Sequence, residues 1–265
     1  MASKINHVAI MSGNYALESK FYESMFGMRG SPKARPSRAV SIGDGYVGMN
    51  INPRRAGRPA RLDHFGIQVD DLEATLAKMS EKYPHCEYLK RPASRPFAAI
   101  SAHDPDGNVF DLTQARGGNM KDVYTHNDWQ QDRTICHVGI RTLHAEACAE
   151  FYMDMFGLQP SNLPIPGAYG VTDGRMSIIL LPWSIKQYAN TGIVGPGMDY
   201  IGFKVENLEK FKKDVQEIAD NNPLIAPAPV STGPEGKARL EMLQATSLGS
   251  WHIADVDGVL LDIVA

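Results

Sequence analysis

The sequence predicts a mixed α+β protein in which a strand, a helix and further strands recur along the chain. Three observations predict this class. Short segments alternate apolar and polar residues, others place apolar residues every three or four positions, and the second half of the chain repeats motifs of the first. A chain of 265 residues suits one large domain or two of ordinary size, and the repeat favours two.

The first unit begins with a strand at residues 5–11, in which alternation places His7 on the face opposite Val8 and Ile10. Apolar residues at i+4 spacing predict a helix over residues 15–25, and Gly27 is suited to end it. Residues 39–52 predict two further strands.

The next segment, residues 53–61, is rich in Arg, Gly and Pro and is interpreted as a connector. Guanidinium groups match carboxylates and phosphates, but a solvated loop is the preferred interpretation of the four arginines in this region, which are Arg54, Arg55, Arg58 and Arg61.

The second unit begins with a strand over residues 62–69, whose alternation separates His64 from an apolar face. Asp70 or Asp71 is expected to cap a helix that extends to about Lys82. Residues 86–113 then supply the remaining strands.

The last of these strands follows the pair Asp106-Gly107, which suits a tight hairpin turn. Alternation then places Asp111 on the face opposite Phe110. If the apolar faces are buried under helices, His64 and Asp111 project from the same opposite face. That arrangement suits a metal ion.

The motifs of the first half recur in the second, the first two of them at an offset of 130 with no gap between them. HVAI at 7–10 aligns with HVGI at 137–140, and FYESMFG at 21–27 aligns with FYMDMFG at 151–157. Further along, DHFGIQV at 63–69 aligns with DYIGFKV at 199–205, and DPDGNVFD at 104–111 aligns with DVDGVLLD at 255–262. We therefore predict two related domains, residues 1–115 and 134–265, joined by a polar linker at 116–133.

These motifs resemble those of the vicinal oxygen chelate superfamily, which includes glyoxalase I, type I extradiol dioxygenases and bleomycin-binding proteins. The resemblance rests on the first-strand His, the Phe-Tyr-x-x-x-Phe-Gly helix, the His of a later strand and the Asp-Pro-Asp-Gly turn with a carboxylate four residues after its Gly. It implies four βαβββ modules that form two domains with cup-shaped mixed sheets. The scaffold alone does not fix a reaction.

The resemblance also implies metal ligands at His7, His64 and Asp111. Two histidines and one carboxylate with open positions are typical of non-haem Fe(II) oxygenases, so Fe(II) is the first choice, while Mn, Ni or Zn fit the same ligands. The family usually has Glu where this chain has Asp111 and Asp262. If modules exchange partners, His137 takes the place of His7.

The corresponding set in the second half is His137, Tyr200 and Asp262. Tyr is a poor ligand near neutral pH because its pKa is about 10, so a structural pocket is favoured there. By the same resemblance, His252 is a candidate proton donor and Asn50 a candidate ligand or ligand neighbour. The three tryptophans, Trp129, Trp183 and Trp251, are interpreted as packing residues.

Composition limits the partners and the compartment. The net charge of −3 gives no reason to expect nucleic acid, and no long apolar run or leader suggests a membrane. We expect a small-molecule substrate, and the sequence is compatible with a homo-oligomer. With no sign of a membrane or secretory segment, a cytoplasmic location is the default expectation. Cys86, Cys136 and Cys148 form no close pair and are expected to be reduced.

Three functions follow from the resemblance. The leading hypothesis is an Fe(II)-dependent dioxygenase of extradiol type that cleaves a catechol-like substrate. The second is a metal-dependent lyase or isomerase of glyoxalase type, and the third is a metal-free protein that binds a small molecule.

Overall fold

The computed structural model describes residues 3–30, 39–92, 98–115, 129–192 and 195–265. Two mixed sheets and their helices make up the fold, one sheet from each half of the chain. In the first half the strands are β1 Lys4–Ser12, β2 Arg29–Gly30, β3 Val40–Gly43, β4 Gly48–Pro53, β5 Arg61–Val69, β6 Tyr88–Lys90, β7 Ile100–His103 and β8 Val109–Gln114. In the second half they are β9 Thr134–Thr142, β10 Gln159–Ser161, β11 Tyr169–Thr172, β12 Ser177–Pro182, β13 Gly197–Lys204, β14 Trp251–Ala254 and β15 Leu260–Val264.

A helix follows the first strand of each module, as predicted, and the described part of the second half has two further helices, at Ile185–Thr191 and Gly233–Ala245. Asn14 and Asp71 cap the first two helices through their side chains, and Gly27 ends the first with a left-handed φ of 68°. The helices are α1 Tyr15–Phe26, α2 Leu72–Lys82, α3 Ala145–Phe156, α4 Ile185–Thr191, α5 Leu208–Asn221 and α6 Gly233–Ala245, with a 3₁₀ turn at Pro223–Ile225. Within the described part of the chain, no helix is both long and apolar enough to cross a membrane.

The first sheet places two modules side by side in the order β2-β3-β4-β1-β5-β8-β7-β6. β1 pairs in parallel with β4 and antiparallel with β5, and β5 pairs in parallel with β8. The adjacent modules therefore bring β1, β5 and β8 together. We call the face of each sheet that lies opposite the main hydrophobic core its polar face.

The second sheet repeats this order with one strand fewer, β10-β11-β12-β9-β13-β15-β14. Where β6 lies in the first sheet, the second has a single bridge between Ala228 and Ala254. The fourth module thus departs from the predicted βαβββ pattern. Prolines at 223, 227 and 229 remove ladder donors in this segment, and the inserted α6 follows it.

The two halves share one hydrophobic core. Phe26 of α1 stacks on Phe203 of β13, with ring centroids 3.8 Å apart, and Phe156 of α3 packs edge-on against Phe110 of β8 at 5.6 Å. A helix of each half therefore contacts the sheet of the other half through an aromatic side chain. The predicted boundaries at 115 and 134 stay a prediction, and residues 116–128 of the predicted linker lie outside the described part.

The two Asp-x-Asp-Gly turns hold this arrangement by hydrogen bonds. Asp104 accepts the hydroxyl of Tyr152 at 2.9 Å, and Asp255 accepts that of Tyr22 at 2.7 Å. The second aspartate of each turn binds just before the opposite helix: Asp257 accepts Gly13 N at 2.7 Å, and Asp106 accepts His144 N at 2.6 Å. Each turn thus precedes a strand of its own sheet and joins that sheet, through hydrogen bonds, to a helix of the other half of the chain.

Candidate metal centre

The candidate metal centre lies on the polar face of the first sheet, where β1, β5 and β8 are neighbours. Gly66 of β5 is paired with His7 on one side and with Asp111 on the other, and Ala9 is paired with His64. His7, His64 and Asp111 each present one ligand atom, and these atoms all lie within 4.8 Å of one another. Among the described residues they form the one group of this kind.

Gly66 allows the close approach of His7. A Cβ added at Gly66 would lie 2.0 Å from His7 Cε1 and 2.2 Å from His7 Nδ1, far inside van der Waals contact. Since the imidazole lies directly over the backbone of β5, any larger side chain at position 66 would displace it.

The distances fit a divalent ion. His64 Nε2 lies 3.1 Å from Asp111 Oδ2, and the rings of His7 and His64 meet edge-on with centroids 5.6 Å apart. Ligands on one ion with bonds of about 2.1 Å are separated by roughly 3.0 to 3.4 Å. Asp111 therefore reaches His64 although its side chain is one methylene shorter than the Glu that the family usually has.

Three neighbouring side chains fix the orientation of this group. The carboxylate of Asp63 accepts from His64 Nδ1 at 2.8 Å, and Ser101 donates its hydroxyl to Asp111 Oδ1 at 2.5 Å. The amide oxygen of Asn6 lies 2.9 Å from His7 Nδ1. A proton on each Nδ1 leaves the lone pair on Nε2, which is the tautomer that binds a metal.

Sequence reasoning missed these three supporting residues. Asn6 and Asp63 each directly precede a predicted ligand histidine, so the pairs Asn6-His7 and Asp63-His64 carry a local signal that was available. Ser101 has no local signal, because it faces Asp111 only through the register of β7 against β8.

The two histidines differ in how firmly they hold a proton. Burial disfavours the charged form of both. For His7, burial and the neighbouring His64 lower the pKa to about 3. For His64, attraction by Asp111 and Asp63 outweighs burial and raises the pKa to about 9. His64 and Asp111 therefore form an ion pair when no metal competes for them, and the pKa of Asp111 is lowered despite its burial.

Asn50 lies on β4, beside β1, and its pairing with Ser41 parallels that of Asp111 with Ser101. Ser41 Oγ donates to Asn50 Oδ1 at 2.5 Å. The first module thus presents a neutral amide at the position where the second module presents a carboxylate.

The second-half candidates are arranged differently. His137 Nε2 lies 2.9 Å from Asp262 Oδ2, and the same oxygen accepts a hydrogen bond from Leu248 N at 3.0 Å. The hydroxyl of Tyr200 donates instead to the backbone carbonyl of Thr246 at 2.8 Å. Burial raises the pKa of Tyr200, which disfavours the phenolate that a metal would need. The structure does not bring His137 to His64 and Asp111 either, because β9 lies in the other sheet.

His252, the candidate proton donor, also belongs to this second group. Its Nε2 lies 2.8 Å from Ser247 Oγ and 3.1 Å from Asp262 Oδ1, both in the second half of the chain. The structure thus places His252 on the second sheet, next to Asp262, and does not join it to the His7–His64–Asp111 group. The resemblance predicted that His252 lies on a strand, but it did not predict which candidate site this strand would face.

The four arginines of the connector are exposed, as a solvated loop requires. Among the tryptophans, Trp251 packs against Phe211 with ring centroids 5.8 Å apart, and Trp129 lies under the guanidinium of Arg29 at 4.8 Å.

Comparisons with known proteins agree with this fold. Residues 4–112 match the family model described as the Glyoxalase/Bleomycin resistance protein/Dioxygenase superfamily. A curated relative, the uncharacterized protein YaeR of Escherichia coli (strain K12), is 27% identical over 121 residues, which cover 41% of this chain and 94% of YaeR.

Solved structures cover nearly the whole chain at low identity. The Mn(II)-bound glyoxalase from Novosphingobium aromaticivorans is 14% identical, with a TM-score of 0.65 over 99% of this chain and 81% of that one. Homoprotocatechuate 2,3-dioxygenase from Arthrobacter globiformis is 13% identical, with a TM-score of 0.63 over 99% and 79%. At these identities the likeness establishes the fold and leaves the reaction open.

Proposed function

We propose that this chain, whose residues 4–112 match the Glyoxalase/Bleomycin resistance protein/Dioxygenase superfamily and whose fold resembles that of glyoxalases and extradiol dioxygenases, is a metal-dependent dioxygenase of extradiol type. Its substrate is a small catechol-like molecule that chelates Fe(II) through adjacent oxygens. The observation that carries this proposal is the convergence of His7, His64 and Asp111 within 4.8 Å.

The ligand set favours iron. Two neutral imidazoles and one carboxylate leave several coordination positions open, which is the pattern of non-haem Fe(II) oxygenases. Asn50, a neutral amide, adds no second carboxylate to the set. Mn, Ni or Zn would fit the same residues.

Each residue has a role in this proposal. Iron(II) held there would supply Lewis-acid and redox chemistry to a chelating substrate. His7, His64 and Asp111 hold the ion, while Asp63 and Ser101 keep two of these ligands in position. His7 and Asp111 are 1% and 6% exposed, so substrate would approach past His64, whose side chain is 16% exposed.

The compartment and partners belong to the same proposal. The three cysteines are free thiols, which suits a reducing cytoplasm, and the substrate is a small molecule.

Metal analysis and oxygen uptake test the proposal. Protein purified without oxygen and loaded with Fe(II) is expected to hold about one ion per chain and to consume oxygen with at least one member of a catechol panel. His64→Ala should abolish both properties, whereas His85→Ala, which removes an exposed imidazole, should preserve them. Full iron loading without oxygen uptake on any catechol would contradict the dioxygenase assignment.

A second candidate, a metal-free binding protein, is favoured by one observation. The 3.1 Å ion pair between His64 and Asp111 satisfies both groups without an ion. Two results together would favour the binding protein over the dioxygenase. Neither Fe(II), Mn(II), Ni(II) nor Zn(II) would bind stoichiometrically, and His64→Ala would have the same metal content and oxygen uptake as the wild type. A loaded protein that isomerises a hemithioacetal without oxygen uptake would instead indicate a glyoxalase-type reaction.

A further inference from the structure

Two guanidinium groups meet one carboxylate on the polar face of the second sheet. Arg141 of β9 donates from Nε to Asp199 Oδ2 at 2.8 Å and from Nη2 to Thr246 Oγ1 at 2.9 Å. Arg239 of α6 donates from Nη2 to Asp199 Oδ1. The side chains of Arg141, Asp199 and Arg239 are only 1%, 8% and 13% exposed, so all three are removed from bulk water.

The charges of this cluster do not balance. Two guanidinium groups and one carboxylate leave one net positive charge in a buried place. The nearby Asp262 does not offset it, because His137, whose pKa is raised to about 9 by Asp262 against burial, already pairs with that carboxylate. A buried charge is costly unless an opposite charge accompanies it, so the cluster favours the arrival of one anion.

Two buried donors of the second half have no hydrogen-bond acceptor among the described residues. They are Arg239 Nη1 and Trp183 Nε1. Trp183 directly follows β12 and continues its ladder, since its backbone N–H donates to Thr142 O at 2.8 Å. Both it and Arg141 therefore lie at the same end of the sheet, where Leu181 is the register partner of Arg141. Buried donors nearly always have a partner, so two without one point to an acceptor from outside the protein.

We infer that Arg141, Arg239 and Trp183 form a binding site for a small organic monocarboxylate, separate from the candidate metal centre. The single excess charge matches a monoanion, and a planar guanidinium fork matches the two oxygens of a carboxylate. An apolar cluster that includes Ile179 and Leu243 adjoins the site, so the acid has an apolar body.

The site is specific to the second half. At the offset of 130, Met11 stands where Arg141 stands, and the described residues of the first half include no helix between β6 and β7 that would correspond to α6. The two halves have therefore diverged, one toward a metal-ligand group and the other toward an anion site.

Titration of the full-length protein with benzoate tests this inference, with benzamide as the neutral analogue of the same shape. We expect benzoate to bind and benzamide not to bind. Arg239→Gln should weaken benzoate binding roughly 10- to 100-fold, the effect of losing a charge-assisted hydrogen bond, and Trp183→Phe, which removes only the indole N–H donor, should weaken it about 3- to 10-fold. Arg175→Gln, which removes an exposed guanidinium of the same half, should leave the affinity unchanged.

Isothermal titration is made on protein with and without Fe(II). Equal benzoate affinity in the two samples, retained in His64→Ala, is expected because the site is separate from the metal group. Binding that requires iron or His64 would overturn the inference, as would equal affinity of wild type and Arg239→Gln. Inorganic phosphate that binds as tightly as benzoate would overturn the assignment to carboxylates. These outcomes do not depend on oxygen uptake, so the proposed dioxygenase activity stands or fails separately.

Discussion

The pKa values of the neighbouring imidazoles His7 and His64 shift in opposite directions, because burial dominates at His7 whereas Asp111 and Asp63 outweigh burial at His64. In the metal-free protein, burial opposes the charge on His64, yet Asp111 and Asp63 raise its pKa from 6.5 to about 9. The folded state therefore binds this proton more tightly than the unfolded chain does. Its stabilising effect is complete below pH 6.5 and is lost as the pH rises through 9.

We therefore expect His64→Gln to lower the free energy of unfolding of the metal-free protein by about 1 to 3 kcal/mol more at pH 6 than at pH 9.5. Urea denaturation at the two pH values measures this difference, with His85→Gln as the exposed control. An equal loss at both pH values would show that the ion pair with Asp111 does not form in solution. A bound metal ion displaces the proton, so saturating Zn(II) should remove this dependence in the wild type.

At the scale of elements, the Asp-x-Asp-Gly turns fasten each sheet to the helix of the other half. Tyr152 of α3 donates to Asp104, which precedes β8, and both groups are fully buried. Asp104 lies 48 positions from Tyr152 in sequence, so this bond forms only when the two halves pack together.

Tyr152→Phe keeps the ring and removes only this hydroxyl. Because the bond reaches a buried carboxylate, we expect a loss of about 1.5 to 3 kcal/mol in the free energy of unfolding. Tyr88→Phe, at a tyrosine 41% exposed, should change it by less than about 0.5 kcal/mol. If the two variants unfold at the same denaturant concentration, the turn does not contribute to holding the halves together.

For the whole molecule, the repeat was enough to predict the recurring order of strand, helix and strands, but not the helices α4 and α6 or the single bridge that replaces one strand of the fourth module. Strand alternation predicted that His64 and Asp111 share a face, and the family resemblance added His7 to them; the structure brings the three together. The hydrogen bond of Tyr22 to Asp255 and the convergence of Arg141 and Arg239 on Asp199 were not predictable, because they depend on which helix packs on which sheet. The surroundings of His252 were not predictable for the same reason, since a local motif indicates a strand but not which residues of the folded sheet lie beside it; its role as a proton donor stays a prediction.

The shared core leads to a prediction about folding. A fragment of residues 1–115 would lose the partners of Phe26 and Tyr22, which are fully or almost fully buried in the intact chain. We expect this fragment alone to show no cooperative urea transition by circular dichroism and no metal binding. Mixing it with a fragment of residues 134–265 should restore both, because each fragment supplies the surface that buries the other's helix.

The intact chain should accordingly unfold in one transition, with the same midpoint by tryptophan fluorescence and by circular dichroism. Phe26→Ala, at the stacked contact with Phe203, should lower the midpoint for both probes together, by a loss of about 3 to 5 kcal/mol. Leu89→Ala, at an apolar side chain 54% exposed, provides the control. A 1–115 fragment that folds and binds Zn(II) alone would show instead that the first sheet carries a complete core of its own.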